Sequence, residues 1–427
     1  MTGRSLDDWL AYISAQHPAA IALGLERVRE VAARMSPSAL GEGRGEGRAP
    51  TITVGGTNGK GSTCAFLERI LIESGYRTAL YTSPHLLRYN ERVRIDGEDV
   101  GDAALVEGFE RVEAARAGTP LTYFEFGTLA ALALFAEARV EVSILEVGLG
   151  GRLDAVNIVD ADCAIVASVD LDHQAWLGDD RESIGFEKAG IFRKARPAIV
   201  SDPQPPDRLL AHARDIGAQL QVIGRDFRYE ASERQWDFVG RRGAKRALPM
   251  PALRGRWQLR NASAALAALD ELTDRLPVSL GEVKRGLVLV RLAGRLQVLP
   301  GRPSIVLDVA HNPQAARALA EGLGDMGYFE NTFGVFAILS DKDVGGVVDA
   351  MRGRIDRWYA ACSDSDRAAP TARVVEALGE RGLADKTRAF ATVASAFEAA
   401  RRDAGPNDRI VVFGSFTTVA QALRCAP

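Results

Sequence analysis

The sequence has few cysteines and none in metal-binding spacing. Its four cysteines, Cys64, Cys163, Cys362 and Cys425, lie far apart along 427 residues, and no CxxC pair occurs. Zinc modules and disulfide frameworks both need a set of cysteines at characteristic spacings, so the sequence predicts neither of them. We therefore expect a protein of a reducing compartment, the cytoplasm.

The sequence also lacks an excess of one charge and a long apolar run. Lys and Arg number 53 against 56 Asp and Glu, a net charge of -3, which gives no basic surface for a dedicated nucleic-acid or membrane binder. The most apolar stretch, 128–136, is far too short to span a membrane, and the first twelve residues carry acids where a secretory signal has its apolar core. No heptad seam demands assembly. We expect a soluble monomer without nucleic-acid or membrane partners.

What is present is the composition of a large globular protein. Hydrophobic residues make up 47% and charged residues 26%, and the length favours two domains. After an N-terminal helical pair, short β-rich runs alternate with helical patterns, which is typical of a mostly parallel sheet covered by helices. These runs are 51–54, 78–82, 142–148, 163–169 and 197–201.

A second α/β series follows near the C-terminus. Residues 227–251 alternate aromatic and charged side chains and predict an antiparallel ribbon, which precedes a helix over 258–272. The Gly-, Arg- and Pro-rich stretch 291–302 is interpreted as an interdomain linker. The fold class is thus α/β: a P-loop-containing, mostly parallel sheet domain over 1–293 and a smaller Rossmann-like α/β domain over 294–427, whose predicted strands are 304–309, 333–338, 358–361 and 410–413.

The strongest local motif is TITVGGTNGKGST, residues 51–63. A β-branched strand leads into a Gly-rich turn with Lys60 and then a helix, and such a helix N-terminus binds phosphate through free backbone N–H groups and its dipole. The motif departs from GxxxxGK[ST], because Val54 takes the first Gly position and Gly61 takes the position of the magnesium-binding hydroxyl. The metal must therefore find other ligands, and a GTPase or motor is disfavoured.

Metal-binding side chains are predicted where neighbouring strands end. Glu146 ends one apolar strand, and carboxyl ends of parallel strands face one crevice. Oxygen ligands with one imidazole suit magnesium held between protein and nucleotide phosphates. A lone His near a strand end is more often a hydrogen-bonding group than a metal ligand, and Glu146 alone could be a cap or an ion-pair partner. The convergence of these residues on the ends of adjacent strands is what favours the metal site. The further candidates are Ser83 and His85 after a second strand, and Asp170, Asp172 and His173 after a third.

Taken together, the motifs resemble the family of folylpolyglutamate synthase and dihydrofolate synthase, relatives of the Mur ligases. The resemblance covers most of the chain, and the matching segments occur in the family's order. They are GTNGKGST (56–63), TSPHLLRYNERVR (82–94), LTYFEFGTLAAL (121–132), LEVGLGGRLDAVN (145–157), LDH (171–173), ESIGFEKAGIFR (182–193) and DVAHNP (308–313).

The resemblance implies an ATP-dependent amide ligase. A folate carboxylate is phosphorylated to an acyl phosphate, which the amine of L-glutamate then attacks; Mg²⁺ and ATP are required. In this family Ser83, Glu146 and His173 would hold the metal, and Lys188 matches a lysine that is carbamylated in related ligases. The ATP-binding positions would be Thr57, Asn58, Gly59, Lys60, Gly61 and Ser62 in the first domain, Asn261, and Arg295 and Asp308 of the smaller domain.

The resemblance also implies a site for the pterin-bearing substrate. A stacking aromatic ring with a carboxylate is a sensible binder of a flat heterocycle. Beside the catalytic Lys60 and Lys188, His311 is a candidate for contact with phosphate, although capping by the DVAHNP turn explains its polarity equally well. The start of the chain, from 17 to 28, resembles bifunctional enzymes that accept dihydropteroate as well as reduced folates. The folate positions would be Ala20, Ile21, Ala22, Leu23, Thr122, Phe124, Leu153, Asp154 and Ala155.

Three alternatives stay open at this point. A Mur-type ligase of a cell-wall nucleotide precursor would need an additional N-terminal domain, and only about 50 residues precede the phosphate loop. A nucleotide switch would need a hydroxyl after Lys60 and an NKxD-type segment. A folylpolyglutamate synthase without dihydrofolate synthase activity differs too little in sequence to be separated.

Overall fold

The computed structural model describes residues 3–19, 21–35 and 49–425, and the chain divides into two compact units. The first unit comprises 1–251 and 259–290, and the second comprises 252–258 and 291–427. The division after residue 290 lies close to the expected boundary at 293. The assignment of 252–258 to the second unit was not predicted.

An eight-stranded sheet forms the framework of the first unit, in the order β4-β3-β2-β5-β1-β6-β7-β8. Six strands, β2, β5, β1, β6, β7 and β8, run parallel to one another. Strands β3 and β4 continue the sheet beyond β2 as an antiparallel edge. The strands are β1 (Thr51–Gly55), β2 (Thr78–Tyr81), β3 (Val93–Ile95), β4 (Glu98–Asp99), β5 (Val142–Glu146), β6 (Cys163–Val166), β7 (Pro197–Val200) and β8 (Gln219–Val222).

Ten α-helices accompany the strands of the first unit in the described part of the chain, although the first two residues of α9 belong to the second unit. Helix α5 is apolar on all sides and is almost completely buried, as expected for a helix inside a core. The helices are α1 (Leu6–Ser14), α2 (Glu26–Arg34), α3 (Lys60–Glu73), α4 (Asp102–Arg116), α5 (Tyr123–Ala138), α6 (Gln174–Leu177), α7 (Arg181–Ala189), α8 (Asp207–Asp215), α9 (Trp257–Glu271) and α10 (Leu280–Leu289).

The ribbon predicted over 227–251 is a separate three-stranded antiparallel sheet. Its strands are β9 (Arg228–Ala231), β10 (Gln235–Gly240) and β11 (Gly243–Pro249), with β10 in the centre. Alternate side chains of β10, among them Trp236 and Phe238, are buried. The period of two that suggested a ribbon is therefore the period of burial.

The second unit is built on a six-stranded sheet in the order β12-β13-β17-β14-β15-β16, parallel except for β12. Its core consists mainly of Val, Leu, Phe and Ala side chains. The strands are β12 (Gln297–Leu299), β13 (Ser304–Leu307), β14 (Thr332–Phe336), β15 (Arg357–Ala360), β16 (Thr387–Ala389) and β17 (Arg409–Phe413); the helices are α11 (Pro313–Gly324), α12 (Val344–Met351), α13 (Thr371–Gly379), α14 (Val393–Asp403) and α15 (Phe416–Cys425).

The linker expected over 291–302 is only partly a linker. Residues 297–299 form β12, which pairs antiparallel with β13 at Leu299 and Ile305 and so belongs to the six-stranded sheet of the second unit. The Gly- and Pro-rich composition concealed this three-residue strand. The α/β class and the two sheet domains are as predicted. Among the described residues, no helix has the length and apolar character needed to cross a membrane.

Candidate active site

The Gly-rich motif forms a tight loop between β1 and α3. Gly56 and Gly59 have φ of +141° and +91°, a region of the backbone that favours glycine. A β-carbon at Gly56 would lie 3.1 Å from the backbone nitrogens of both Ala167 and Ser168. The loop therefore packs against the residues that follow β6. Helix α3 begins directly after the loop, so the first backbone N–H groups of the helix lie next to it.

Ser168 ties this loop to the neighbouring strand end. Its hydroxyl accepts from Asn58 N at 3.0 Å and donates to Asn58 O at 3.0 Å, and its carbonyl accepts from Thr57 N at 2.7 Å. Thr57 adds two bonds with the backbone of Asp170, at 3.0 and 3.1 Å. These five hydrogen bonds fix the backbone of the loop before any ligand arrives.

Lys60 begins α3 and curls back over the loop. Its ammonium donates to Gly56 O at 3.0 Å and to Thr57 O at 3.2 Å. The positive charge thus lies beside the free N–H groups of the helix N-terminus, which is the arrangement that binds phosphate. Gly61 and Ser62 continue the first turn, with Ser62 buried.

Asn261 of α9 lies against the same loop. It is 3% exposed, and a β-carbon at Gly59 would come within 2.5 Å of its Oδ1. The structure therefore brings together all the predicted nucleotide residues of the first unit, Thr57 to Ser62 and Asn261.

Glu146 lies at the carboxyl end of β5, level with Val54 of β1. It is 4% exposed, and its Oε2 accepts from the Thr82 hydroxyl and from Ser83 N, the latter at 3.3 Å. Strand β2 ends one residue before Thr82, so the parallel pairing of β2 with β5 places Ser83 beside Glu146. Two of the three predicted metal ligands are thus neighbours.

The third predicted ligand, His173, follows β6 at the start of α6. It has φ of +52°, and its backbone N–H donates to Asp172 Oδ1 at 2.9 Å. Its ring is partly exposed, with Nε2 3.9 Å from the same carboxylate oxygen. Within the ranges that the structure describes, no group of three or more His, Cys, Asp or Glu side chains is arranged as a metal cluster. Among the described residues, the side chains of His, Cys, Asp and Glu alone therefore do not form a metal site around Glu146.

His85 makes a contact of a different kind. Its Nδ1 accepts from Arg92 Nε at 2.8 Å. Burial lowers the pKa of His85 to about 4, and the charge of Arg92 adds to this effect. His85 is therefore a neutral hydrogen-bond acceptor for an arginine.

Lys188 is a buried lysine near the end of α7, with 3% of its surface exposed. Burial lowers the pKa of its amine to about 7; repulsion from Lys60 acts in the same direction, whereas Asp172 and Asp154 oppose it. The amine is thus electrostatically coupled to the phosphate loop and to the segment that carries His173. A large neutral fraction exists near pH 7.

The predicted folate residues form a second cluster, around the N-terminus of α5. Thr122 caps this helix: its hydroxyl accepts from Glu125 N, and Glu125 accepts in return from Thr122 N. Phe124 lies over the loop after β5, since a β-carbon at Gly148 would meet its ring at 2.7 Å. Its ring centroid is 5.7 Å from that of Tyr81.

Asp154 organises the loop after β5. Its Oδ2 accepts from Leu149 N at 2.8 Å, and its Oδ1 accepts from Val156 N at 3.1 Å. Burial raises the pKa of this carboxyl to about 7, opposed by these backbone bonds and by Lys60. Ala155 is also buried, and Leu153 is partly exposed.

The N-terminal segment joins this cluster through two contacts. Gly24 N donates to Leu153 O at 3.3 Å, and Arg27 pairs with Glu125 at 2.8 Å while donating to Ala22 O. The segment 21–23 therefore lies near both Leu153 and the start of α5. Ala20, which was also predicted, lies outside the described residues.

In the second unit, Asp308 follows β13 and is 6% exposed. Its two oxygens accept from Leu296 N at 2.7 Å and Ala310 N at 2.8 Å. Burial raises the pKa of Asp308, and attraction to Arg295 opposes the shift. Arg295 lies 5.1 Å from the ring centroid of Phe416, and the His311 ring lies 6.5 Å from it. Arg295, Asp308 and His311 are thus one cluster.

The residue that caps α11 is Asn312, whose Oδ1 accepts from Ala315 N at 2.9 Å. His311 instead places Nδ1 2.9 Å from Val309 O. The two polar residues of the DVAHNP turn therefore have different roles: Asn312 caps the helix, and His311 contacts the backbone of the turn. The ring of His311 is oriented by the backbone of its own turn.

Sequence reasoning missed the two contacts that hold the clusters in place. Ser168 was not singled out, although a serine at the end of a β-branched run next to the phosphate loop was a usable signal. The pair Arg27–Glu125 gave no signal, because its partners are 98 residues apart.

Comparisons with known proteins show which proteins this chain resembles. The family model of the Mur ligase, glutamate ligase domain, matches residues 294–416, within the second unit. Dihydrofolate synthase/folylpolyglutamate synthase of Escherichia coli strain K12 is 43% identical over 419 residues, which are 98% of this chain and 94% of that protein.

Two solved structures are similar over nearly the whole length. One is E. coli FolC in complex with DHPP and ADP, with a TM-score of 0.92, 43% identity and coverage of 99% of this chain and 97% of that one. The other is a bifunctional folylpolyglutamate synthase/dihydrofolate synthase with Mn, AMPPNP and L-glutamate bound, with a TM-score of 0.89, 42% identity and coverage of 99% and 98%.

Proposed function

This chain belongs to the dihydrofolate synthase/folylpolyglutamate synthase family of ATP-dependent ligases, and we propose that it adds L-glutamate to dihydropteroate and to reduced folates. Addition to dihydropteroate forms dihydrofolate, and addition to reduced folates forms polyglutamates. Both reactions share one chemical problem, the activation of a carboxylate for attack by an amine.

The observation that carries this proposal is the position of Glu146 in relation to the phosphate loop. Glu146 is level with Val54, so a buried carboxylate lies one strand away from the loop that holds Lys60. A phosphate on the loop and a metal on Glu146 would be neighbours. That arrangement suits transfer of a phosphoryl group to a substrate carboxylate.

An acyl phosphate makes the amide bond accessible. A carboxylate oxygen attacks the γ-phosphorus of ATP, and ADP leaves. The amine of glutamate then attacks the carbonyl carbon, the C–O bond to phosphate breaks, and inorganic phosphate carries away that oxygen. Lys60 and the N–H groups at the start of α3 stabilise the charge that builds up on the phosphoryl oxygens.

Ser83, Glu146 and His173 are the residues that we propose as holders of Mg²⁺. The donors are a hydroxyl, a carboxylate and an imidazole, a set that accepts a hard divalent ion. When bound, the ion supplies charge neutralisation for the phosphates. Glu146 is prepared for this role by its bonds to Thr82 and Ser83, which fix its orientation.

We propose in addition that Lys188 is carbamylated. The ammonium first loses a proton; the neutral amine then adds to the carbon of CO₂ and loses a second proton, which leaves a carbamate anion in place of the buried cation. The lowered pKa provides the neutral amine, and removal of the repulsion with Lys60 favours the product. With ¹³C-bicarbonate, NMR should show one carbamate signal that disappears in Lys188→Arg and persists in Lys194→Arg, which alters an exposed lysine. A spectrum without this signal would contradict the modification.

The substrate ring is assigned to the cluster around Phe124 and Asp154, with Thr122 and residues 21–23 at its border. The Phe124 ring packs against Gly148, where a β-carbon would clash with it, so the loop after β5 fixes the position of an aromatic ring on which a flat ligand could stack. In the second unit, Arg295 and Asp308 are assigned to ATP and His311 to phosphate. The matched glutamate ligase domain supports a role of this unit in the use of glutamate.

The test is release of phosphate from ATP that depends on glutamate, measured with dihydropteroate and with tetrahydrofolate. Release with both acceptors is expected. Release with tetrahydrofolate alone would narrow the function to folylpolyglutamate synthase. The absence of release with both acceptors would contradict the proposal and favour another Mur-type amide ligase.

We also propose that the enzyme acts as a cytoplasmic monomer. The chain itself carries all three clusters of proposed functional residues, and its four cysteines are free, as in proteins of reducing compartments. Sedimentation velocity checks the first point: a species near 45.9 kDa is expected, and a dimer under assay conditions would contradict it.

A further inference from the structure

Arg92 lies at the border of the proposed folate cluster, and no carboxylate among the described residues forms an ion pair with it. Its Nε donates to His85, and its guanidinium carbon lies 5.3 Å from the ring centroid of Tyr89 and 5.4 Å from that of Tyr123. In the part of the chain that the structure describes, no salt bridge involves Arg92. Its charge is held by an imidazole and two aromatic rings.

The nearest acid in the sequence, Glu91, is already occupied. Its carboxylate accepts from the backbone N–H groups of Leu86, Leu87 and Arg88 at 2.7 to 2.8 Å. Glu146, the buried acid of this region, accepts from Thr82 and Ser83. Both acids are therefore engaged with groups other than Arg92.

Two contacts connect Arg92 with the proposed reaction centre. Its carbonyl accepts from Thr82 N at 2.9 Å, so its backbone is adjacent to the proposed metal ligands. Its guanidinium contacts Tyr123, the residue between Thr122 and Phe124. Arg92 thus lies near both the proposed metal site and the proposed ring site, where the reacting end of the substrate must be.

The two acceptors differ at that end. Dihydropteroate has a single carboxylate, the one that reacts. A reduced folate ends in glutamate, so a second, non-reacting carboxylate enters the site and needs a counter-ion. We propose that Arg92 binds this non-reacting carboxylate and is a specificity residue for folates over pteroates. The inference rests on the proposed function.

The terminal N–H groups of the Arg92 guanidinium match the geometry of a carboxylate. Such an arginine–carboxylate pair contributes about a tenfold or greater preference for the acceptor that carries the additional carboxylate. His85 would orient the Arg92 guanidinium by accepting the hydrogen bond from its Nε. The rings of Tyr89 and Tyr123 would fix the orientation of the guanidinium plane. A lysine at this position keeps the positive charge but lacks the two parallel N–H donors of a guanidinium, so it should retain only part of the preference for folates.

The experiment compares tetrahydrofolate with tetrahydropteroate, which has the same ring but only the reacting carboxylate. For Arg92→Met, the KM for tetrahydrofolate should rise at least tenfold, and the KM for tetrahydropteroate should change less than twofold. Arg92→Lys should lie between wild type and Arg92→Met. The control is Arg88→Met, which removes an exposed charge of the same segment and should change neither constant.

Equal increases for both acceptors, or no increase for either, would overturn the proposal. A second measurement does not depend on the variants: the wild type should have at least a tenfold higher KM for a tetrahydrofolate whose non-reacting carboxylate is a carboxamide. An unchanged KM for this analogue would also overturn the proposal. Failure of the proposed function is distinguishable, because the wild type would then release no phosphate with any acceptor.

Discussion

Gly59 and Asn261 are packed so closely that a single methyl group on Gly59 would lie 2.5 Å from Asn261 Oδ1. Gly59 also has φ of +91°, immediately before the first helical residue of α3. Glycine is thus required here for two reasons, the backbone conformation and the lack of space. Asn261 therefore forms part of the surface on which the phosphate loop packs.

We predict that Gly59→Ala weakens ATP binding at least tenfold. The left-handed conformation costs about 1–2 kcal/mol for alanine, and the clash with Asn261 must displace the loop in addition. Isothermal titration with ATP measures the effect. The matched control is Gly75→Ala, at φ +84° with open space around it, which should lower the melting temperature but leave ATP affinity unchanged. Equal affinities of the two variants would contradict this packing argument.

Lys60→Ala should reduce kcat by roughly a thousandfold or more while leaving the fold intact, because its charge acts on the transferred phosphate. Among the described residues, the Lys60 ammonium donates hydrogen bonds only to carbonyls of its own loop, so its loss removes no hydrogen bond to a distant part of the described chain. Turnover and circular dichroism check the two parts. The control is Lys194→Ala, at an exposed lysine. Activity near the wild-type level in Lys60→Ala would rule out the phosphate-loop assignment.

Glu146→Gln should raise the magnesium concentration for half-maximal activity about fivefold or more, since an amide oxygen is a weaker ligand for a hard cation than a carboxylate. His173→Ala should change it in the same direction. Magnesium titrations of turnover provide the measurement. Glu141→Gln, at the opposite end of β5, serves as the control. An unchanged magnesium requirement in Glu146→Gln would count against this metal site.

Glu68 should make the stability of the protein depend on pH. Burial raises the pKa of this carboxyl from 4.5 to about 7, although Arg94 lies 2.9 Å away and opposes the shift. A raised folded-state pKa means that the folded protein prefers the protonated form. Its contribution to stability is complete below pH 4.5 and is lost as the pH rises towards 7.

The loss amounts to about 3 kcal/mol as an upper order of magnitude. Urea unfolding at pH 5 and pH 8 should show a smaller difference in Glu68→Gln, which cannot ionise, than in wild type. Glu107→Gln, at an exposed glutamate, should retain the wild-type difference. An identical difference in wild type and Glu68→Gln would contradict the assignment.

The strands that carry the site could be predicted from the sequence because their signals are local. β-branched runs ending in Gly, Ser or Glu gave β1, β2, β5 and β6 to within a few residues. The parallel α/β pattern then placed Glu146, Ser83 and the phosphate loop at the same edge. In the structure, the register of β1 with β5 places Glu146 level with Val54, at the end of the strand that leads into the phosphate loop.

The contacts that complete the site depend on tertiary structure, so a local signal such as a serine at a strand end does not reveal which residue it contacts. Ser168 reaches Asn58 across 110 residues, and Asn261 reaches Gly59 across a still longer separation. Strand β12 was missed because three residues within a Gly-rich stretch carry no periodicity. The engagement of Arg92 with His85 likewise depends on the loop between them.

The central claim is ligation through an acyl phosphate, and transfer of ¹⁸O tests it most directly. Dihydropteroate labelled with ¹⁸O in both carboxylate oxygens is converted with ATP, magnesium and L-glutamate, and the released phosphate is analysed by mass spectrometry. The account predicts one ¹⁸O in each phosphate, because the oxygen that attacks the γ-phosphorus leaves with it. Phosphate without the label, formed alongside the glutamylated product, would contradict the account.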